Sequence, residues 1–96
     1  MRPSEALARH RDEVLAIIAR YPVSNPRLFG SVARGEDVEG SDIDILVESE
    51  NSTSTFDLAA LEIALEKLLG VPVDVRTRAE FLAPAAARMA HDLRLL

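Results

Sequence analysis

Cysteine is absent from the 96 residues. That excludes a disulfide framework and any thiolate-held zinc site. Tryptophan is missing as well, and the aromatics come to one tyrosine and three phenylalanines. A core must therefore be built from Leu, Ile, Val and Ala. No apolar run approaches the ~20 residues of a bilayer span. An excess of basic residues is also lacking. Eleven Lys and Arg stand against sixteen Asp and Glu, a net charge of −5. Non-specific binding to nucleic acid needs a basic stripe, so it is not expected. A nucleotide ligand is compatible with the acidity, because bound cations mask carboxylates. The opening stretch MRPSEALARHRDEV is amphipathic and carries acids. That is unlike a secretory signal, and a cytoplasmic location is the expectation.

Apolar residues make up 48% of the chain, enough to bury a core. The length suits one small domain over residues 1–96, without a separate substrate-recognition module. Leu7, Val14, Ile17, Ile18 and Tyr21 recur at helical spacing and predict a helix from Pro3 to Tyr21. YPVSNP breaks it. A short strand is expected at Arg27 to Gly30, then a helical turn over SVARGE and a loop over DVEG. Ile43 to Glu48 reads as a strand. SENSTST is a polar segment expected to be mobile. Phe56 to Leu69 reads as a helix with Ser54 and Asp57 at capping-box spacing and Gly70 as its stop. VPVDVRT predicts a third strand, and Glu80 to Leu95 a last helix. The order implies an α+β fold, a small mixed sheet with helices packed against it.

The chemistry sits in FGSVARGEDVEGSDIDILV, Phe29 to Val47. Alternate strand residues face opposite sides. Ile43, Ile45 and Val47 mark the core face, which leaves Asp42 and Asp44 on the other. Two residues along a strand span ~7 Å, so both carboxylates can lean on a hard divalent cation. The third strand repeats the pattern: Val71, Val73 and Val75 point one way, Asp74 the other. If the two strands are neighbours, the three acids share one sheet edge. Three such acids suit two cations ~3.5–4 Å apart, the arrangement that drives in-line displacement at phosphorus. Gly30 lets backbone approach a ligand, and a helical turn after it offers free N–H groups and the Ser31 hydroxyl to phosphates. Each element alone has an ordinary reading. A Gly-Ser pair makes turns, Asp-x-Asp starts strands, and Asp74 amid valines guards a sheet edge. A calcium loop fails, since no Gly stands at the sixth position from Asp42. The conjunction is what points to a site.

Gly30-Ser31-Val32-Ala33-Arg34-Gly35 followed by Ser41-Asp42-Ile43-Asp44-Ile45-Leu46-Val47 resembles the signature of the nucleotidyltransferases related to DNA polymerase beta, and in particular the minimal nucleotidyltransferase branch. The resemblance covers essentially the whole chain. Its one small departure is Ile45, where the family often has Leu. It implies a nucleotidyltransferase fold, catalytic and metal-holding roles for Asp42, Asp44 and Asp74, and triphosphate contacts by Gly30 and Ser31. Arg34 or Arg76 would add a charge at the triphosphate, or else be a solvated surface arginine.

The implied reaction moves AMP from ATP to a hydroxyl with two Mg²⁺ ions as cofactors. The minimal branch resembles antitoxins paired with HEPN-type ribonuclease toxins, so the implied acceptor is a tyrosine of such a toxin partner. Two other classes stay open: an antitoxin that neutralises by binding alone, and a small-molecule nucleotidyltransferase. Met89, Leu93 and Leu96 form an apolar face that either docks the partner or packs in the core. His10 and His91 have no metal-ligand partner at suitable spacing and read as surface residues. Tyr21 is expected to anchor the end of the first helix.

Overall fold

Alternation of branched apolar residues builds the strands, and the computed structural model, which describes residues 1–96, pairs them into one four-stranded sheet. The elements are α1 (Pro3–Arg9), α2 (Arg11–Ile18), β1 (Val23–Phe29), α3 (Gly30–Arg34), β2 (Ile43–Ser49), α4 (Thr55–Leu69), β3 (Val73–Thr77), α5 (Ala83–Asp92) and β4 (Arg94–Leu95), with a single 3-10 turn at Arg78–Glu80. The strand order is β3-β2-β1-β4. β1 runs antiparallel to β2 and to β4, and β2 runs parallel to β3. The mixed α+β architecture matches the expectation from sequence.

Leu28, Ile43, Ile45, Val47, Val73 and Val75 point to one face and join Ala6, Leu7, Val14, Ile18, Leu61 and Leu65 of the helices in the main core. Each of the Leu, Ile and Val side chains contributes about 1.5–3 kcal/mol on burial. Leu46 points the other way, onto the face of the acids, and is still fully buried. α5 packs against β1 and α3, and its buried Met89 also lies outside the main cluster.

Several expectations are corrected. The first helix is two, because His10 leaves helical geometry at φ −120°. Leu7 and Val14 both still reach the core across the break, and His10 Nδ1 pairs with Glu13 at 3.0 Å. β1 starts earlier than expected and accommodates Pro26 with a bulge between Ser24 and Arg27, where Asn25 takes φ 51°. Gly30 belongs to α3 rather than to the strand. β3 starts at Val73, so Val71 lies before it. The last helix is shorter at both ends. Pro84 fixes its start, where a missing N–H costs nothing, and Arg94–Leu95 leave it to pair with β1.

Met89 and Leu96 are buried at 5% and 8% exposure, so that face is core rather than a docking surface. The polar segment before α4 is tied down. Thr53 Oγ1 donates to the Pro22 carbonyl and accepts the Glu50 N–H. Ser54 and Asp57 form the expected capping box, and Gly70 closes α4 at φ 70°. Tyr21 anchors to α4 through its hydroxyl, 3.5 Å from the Ala60 carbonyl. No helix is long and apolar enough to cross a membrane.

Candidate active site

Strand pairing decides where the acids fall. Asp44 of β2 lies opposite Asp74 of β3 and opposite Phe29 of β1. Residues opposite one another present their side chains to the same face. The row Phe29–Asp44–Asp74 therefore crosses the sheet on the side away from the main core. Asp42 stands just before β2 and is exposed, while Asp44 and Asp74 are half-buried.

The carboxylate of Asp44 is pushed up to about 6. Burial is the largest cause, followed by the charges of Asp74 and then Asp42; Arg76 and Arg34 pull the other way. Asp44 thus feels the negative charge of both Asp74 and Asp42. The chemistry of the three acids is that of hard oxygen donors, and their repulsion is what a divalent cation would relieve. Yet no three acidic or imidazole side chains converge on one metal-sized point.

Gly30 supplies the other wall. It adopts φ +74°, and a Cβ there would stand 2.3 Å from Asp44 Oδ2. A side chain there would displace the Asp44 carboxylate, so the turn into α3 packs its backbone directly against the acid. Ser31 follows, half-buried, at the second position of α3. Gly35 ends that helix in the left-handed region at φ 72° and sends the chain back toward Asp42.

Arg34 has partners of its own. Its Nε donates to Glu36 at 2.8 Å and its Nη1 to Asp92 of α5 at 2.8 Å. Its pKa is raised, chiefly by the hydrogen bond to Asp92. Arg34 thus ties α3 to α5 while lending positive charge to Asp44 from a distance. Arg76 pairs with Glu80 at 3.3 Å.

Sequence reasoning missed two residues on the face of the acids and a ring that packs against one of them. Phe29 lies beside Asp44, and Phe81 packs edge-on against it with ring centroids 5.6 Å apart. Leu46 shares the acid face and is buried. Phe29 was visible as the residue before Gly30; Phe81 carried no local signal.

A family model described as the nucleotidyltransferase domain matches residues 9–96. A relative from Methanocaldococcus jannaschii, provisionally named a protein adenylyltransferase, is 45% identical over 65 residues, 68% of this chain and 70% of the relative. A solved structure provisionally described as a minimal nucleotidyltransferase superposes with a TM-score of 0.84 at 39% identity, over 97% of this chain and 95% of its own. A toxin–antitoxin crystal structure with AMP-PNP shares the fold, with a TM-score of 0.75 at 19% identity over 88% of this chain and 69% of that one.

Proposed function

The chain belongs to the nucleotidyltransferase domain family, and from that premise we propose that it transfers AMP from ATP to a tyrosine hydroxyl of a HEPN-type toxin partner, acting as the antitoxin of the pair. The observation that carries this reading is the close fit of Gly30 against Asp44 in a row with Asp74. It places a backbone turn with free N–H groups beside a cluster of repelling carboxylates, as a bound nucleotide triphosphate with cations requires. The name of the Methanocaldococcus relative supports AMP transfer to protein, and the toxin–antitoxin structure with AMP-PNP supports both the nucleotide and the kind of partner.

Asp42 and Asp44 would hold divalent cations, two Mg²⁺ in this reading, with Asp74 completing the set. Those ions supply Lewis-acid stabilisation of phosphoryl charge when bound. Gly30 and Ser31 bind the triphosphate through backbone N–H groups and the Ser31 hydroxyl. Arg34, if it releases Asp92, adds a charge there.

The acceptor oxygen forms a bond to the α-phosphorus. The bond from that phosphorus to the bridging oxygen breaks, and pyrophosphate leaves with the electron pair. The acceptor's proton passes to Asp74 or to water. The site reacts within the cytoplasm in this reading.

The test is transfer of label from α-labelled ATP to purified toxin, with and without Mg²⁺. Asp44→Asn is expected to cut labelling by at least a hundredfold while leaving the fold intact. Equal labelling by the variant refutes the assignment of the acids.

A further inference from the structure

α4 is apolar on more sides than its core contacts require. Leu61, Leu65 and Leu69 are buried, yet Phe56 is 85% exposed and Ile63 54% exposed. Phe56, Ala59 and Ile63 are three, four and seven residues apart, so they line one stripe of the helix surface. Such a stripe facing water calls for a partner.

Beside the stripe runs a groove of about 290 Å³ around the open edge of β3. One bank is α4, with Leu58, Ala59 and Glu62; the other carries Asp74, Arg76 and Glu80. Ala59 belongs to both the stripe and the groove. Of the four concavities on the surface, this alone includes an acid of the candidate site. Its surroundings are acidic. Glu62 and Glu66 lie along α4, each holding a β3 N–H with one carboxylate oxygen, and Glu80, paired with Arg76, lines the groove with Glu62.

We propose that the groove and the Phe56–Ala59–Ile63 stripe are the docking surface for the acceptor protein, and that the acceptor presents an apolar helical face whose hydroxyl is flanked by basic side chains. The apolar face covers the stripe. The basic flanks meet Glu62, Glu66 and Glu80. The hydroxyl follows the groove to Asp74, the acid on its far bank. The inference rests on the reading of the chain as a protein-modifying transferase, and it names the side from which the acceptor enters. α3 and Gly30 lie on the opposite side of β2 from β3, so nucleotide and acceptor reach the acids from different directions.

The experiment uses the full chain, ATP with Mg²⁺, and the purified protein encoded by the reading frame beside this chain's gene. Phe56→Asp and Ile63→Asp are compared with the wild type and with Asp12→Ala, an exposed change on α2. Position 56 is in the first turn of α4, where a new acid suits the helix dipole, so folding is preserved. Phe56→Ala is a milder second variant.

Both Asp variants are expected to weaken the partner's Kd at least tenfold and Phe56→Ala about threefold. ATP affinity, measured by equilibrium dialysis, should stay within twofold. Partner affinity equal to the wild type in both Asp variants overturns the proposal. So does failure of the wild type to bind that protein, or a dimer of this chain that Phe56→Asp dissociates without changing partner affinity. Absence of label on a partner that does bind refutes the transfer reading instead, and the affinities then decide docking by themselves.

Discussion

The α-carbon of Gly30 sits so close to Asp44 that a Cβ would fall 2.3 Å from the Asp44 Oδ2 atom. One residue has given up its side chain to let a turn reach a carboxylate. Because the positive φ and the close contact coincide at this position, they can be separated experimentally.

Gly30→Ala should lose transfer activity by at least a hundredfold, because its Cβ displaces the Asp44 carboxylate, and lower stability by about 1–2 kcal/mol from strain at φ +74°. Gly35→Ala is the control. It has φ +72° and open space around it, so it should cost only about 1 kcal/mol and keep its activity. Thermal unfolding and labelled-ATP transfer distinguish the two. Equal activity loss in both variants would mean that backbone strain alone matters.

The raised carboxyl of Asp44 makes the metal-free protein less stable as pH rises. Its folded-state pKa of about 6 lies above the ordinary 3.8. Between those values the folded state holds the proton more tightly, so stability declines across pH 4 to 6. After allowance for solvent screening, the loss is on the order of 1–2 kcal/mol. Asp44→Asn should flatten the slope and leave the apo-protein more stable at pH 7. Urea midpoints from pH 4 to 7.5 in EDTA measure it. Mg²⁺ with ATP should restore the wild type's stability at neutral pH and do little for the variant.

Asp37 has the opposite sign. It is buried, and its Oδ2 accepts the Ser4 N–H at 2.9 Å, fastening the loop before β2 to the first turn of α1. Burial is the largest influence on this carboxyl and pushes its pKa up. The hydrogen bond from Ser4, with the charge of Arg2, outweighs burial and holds it below the ordinary value. Its contribution is present above pH 3.8 and is lost as pH falls through the folded-state pKa. Asp37→Ala should cost about 1.5–3 kcal/mol at pH 7 and less in acid, as read by urea denaturation at both pH values. An equal cost at pH 7 and pH 2 would show that packing rather than charge is at work.

What the sequence made legible was local. Alternation around Ile43, Ile45 and Val47 marked the face of Asp44, and Ser54, Asp57 and Gly70 marked the ends of α4. Gly30 could be seen beside the acids only as a turn residue; its contact with Asp44 depends on the β1–β2 pairing. Features made by distant pairing left no such trace. β4 is two residues that become a strand only by meeting Arg27 and Leu28. Asp37 looked like loop polarity until Ser4, far away in sequence, supplied its partner. Arg34 was read toward the triphosphate because its neighbours in the chain say nothing of Asp92, which α5 brings to it.

The open edge of β3 is closed by carboxylates. Glu66 accepts the Val73 N–H at 3.0 Å, Glu62 the Val75 N–H at 2.7 Å, and Glu80 the Thr77 N–H at 2.7 Å. Alternate N–H groups of an edge strand point outward and invite another strand. Glu62 and Glu66 are one turn apart on α4, the spacing that meets every second residue of β3. Removing both acceptors leaves Val73 and Val75 with unpaired N–H groups. Glu62→Ala with Glu66→Ala should therefore cost about 2–4 kcal/mol and raise aggregation, because hydrogen bonds to charged acceptors are worth ~1.5–3 kcal/mol each and here overlap on one edge. Glu62→Gln with Glu66→Gln keeps an acceptor at each position and should recover much of the loss. Thermal unfolding with light scattering reads both effects. Aggregation that rises equally in the Gln pair would assign the protection to charge repulsion rather than to the occupied N–H groups.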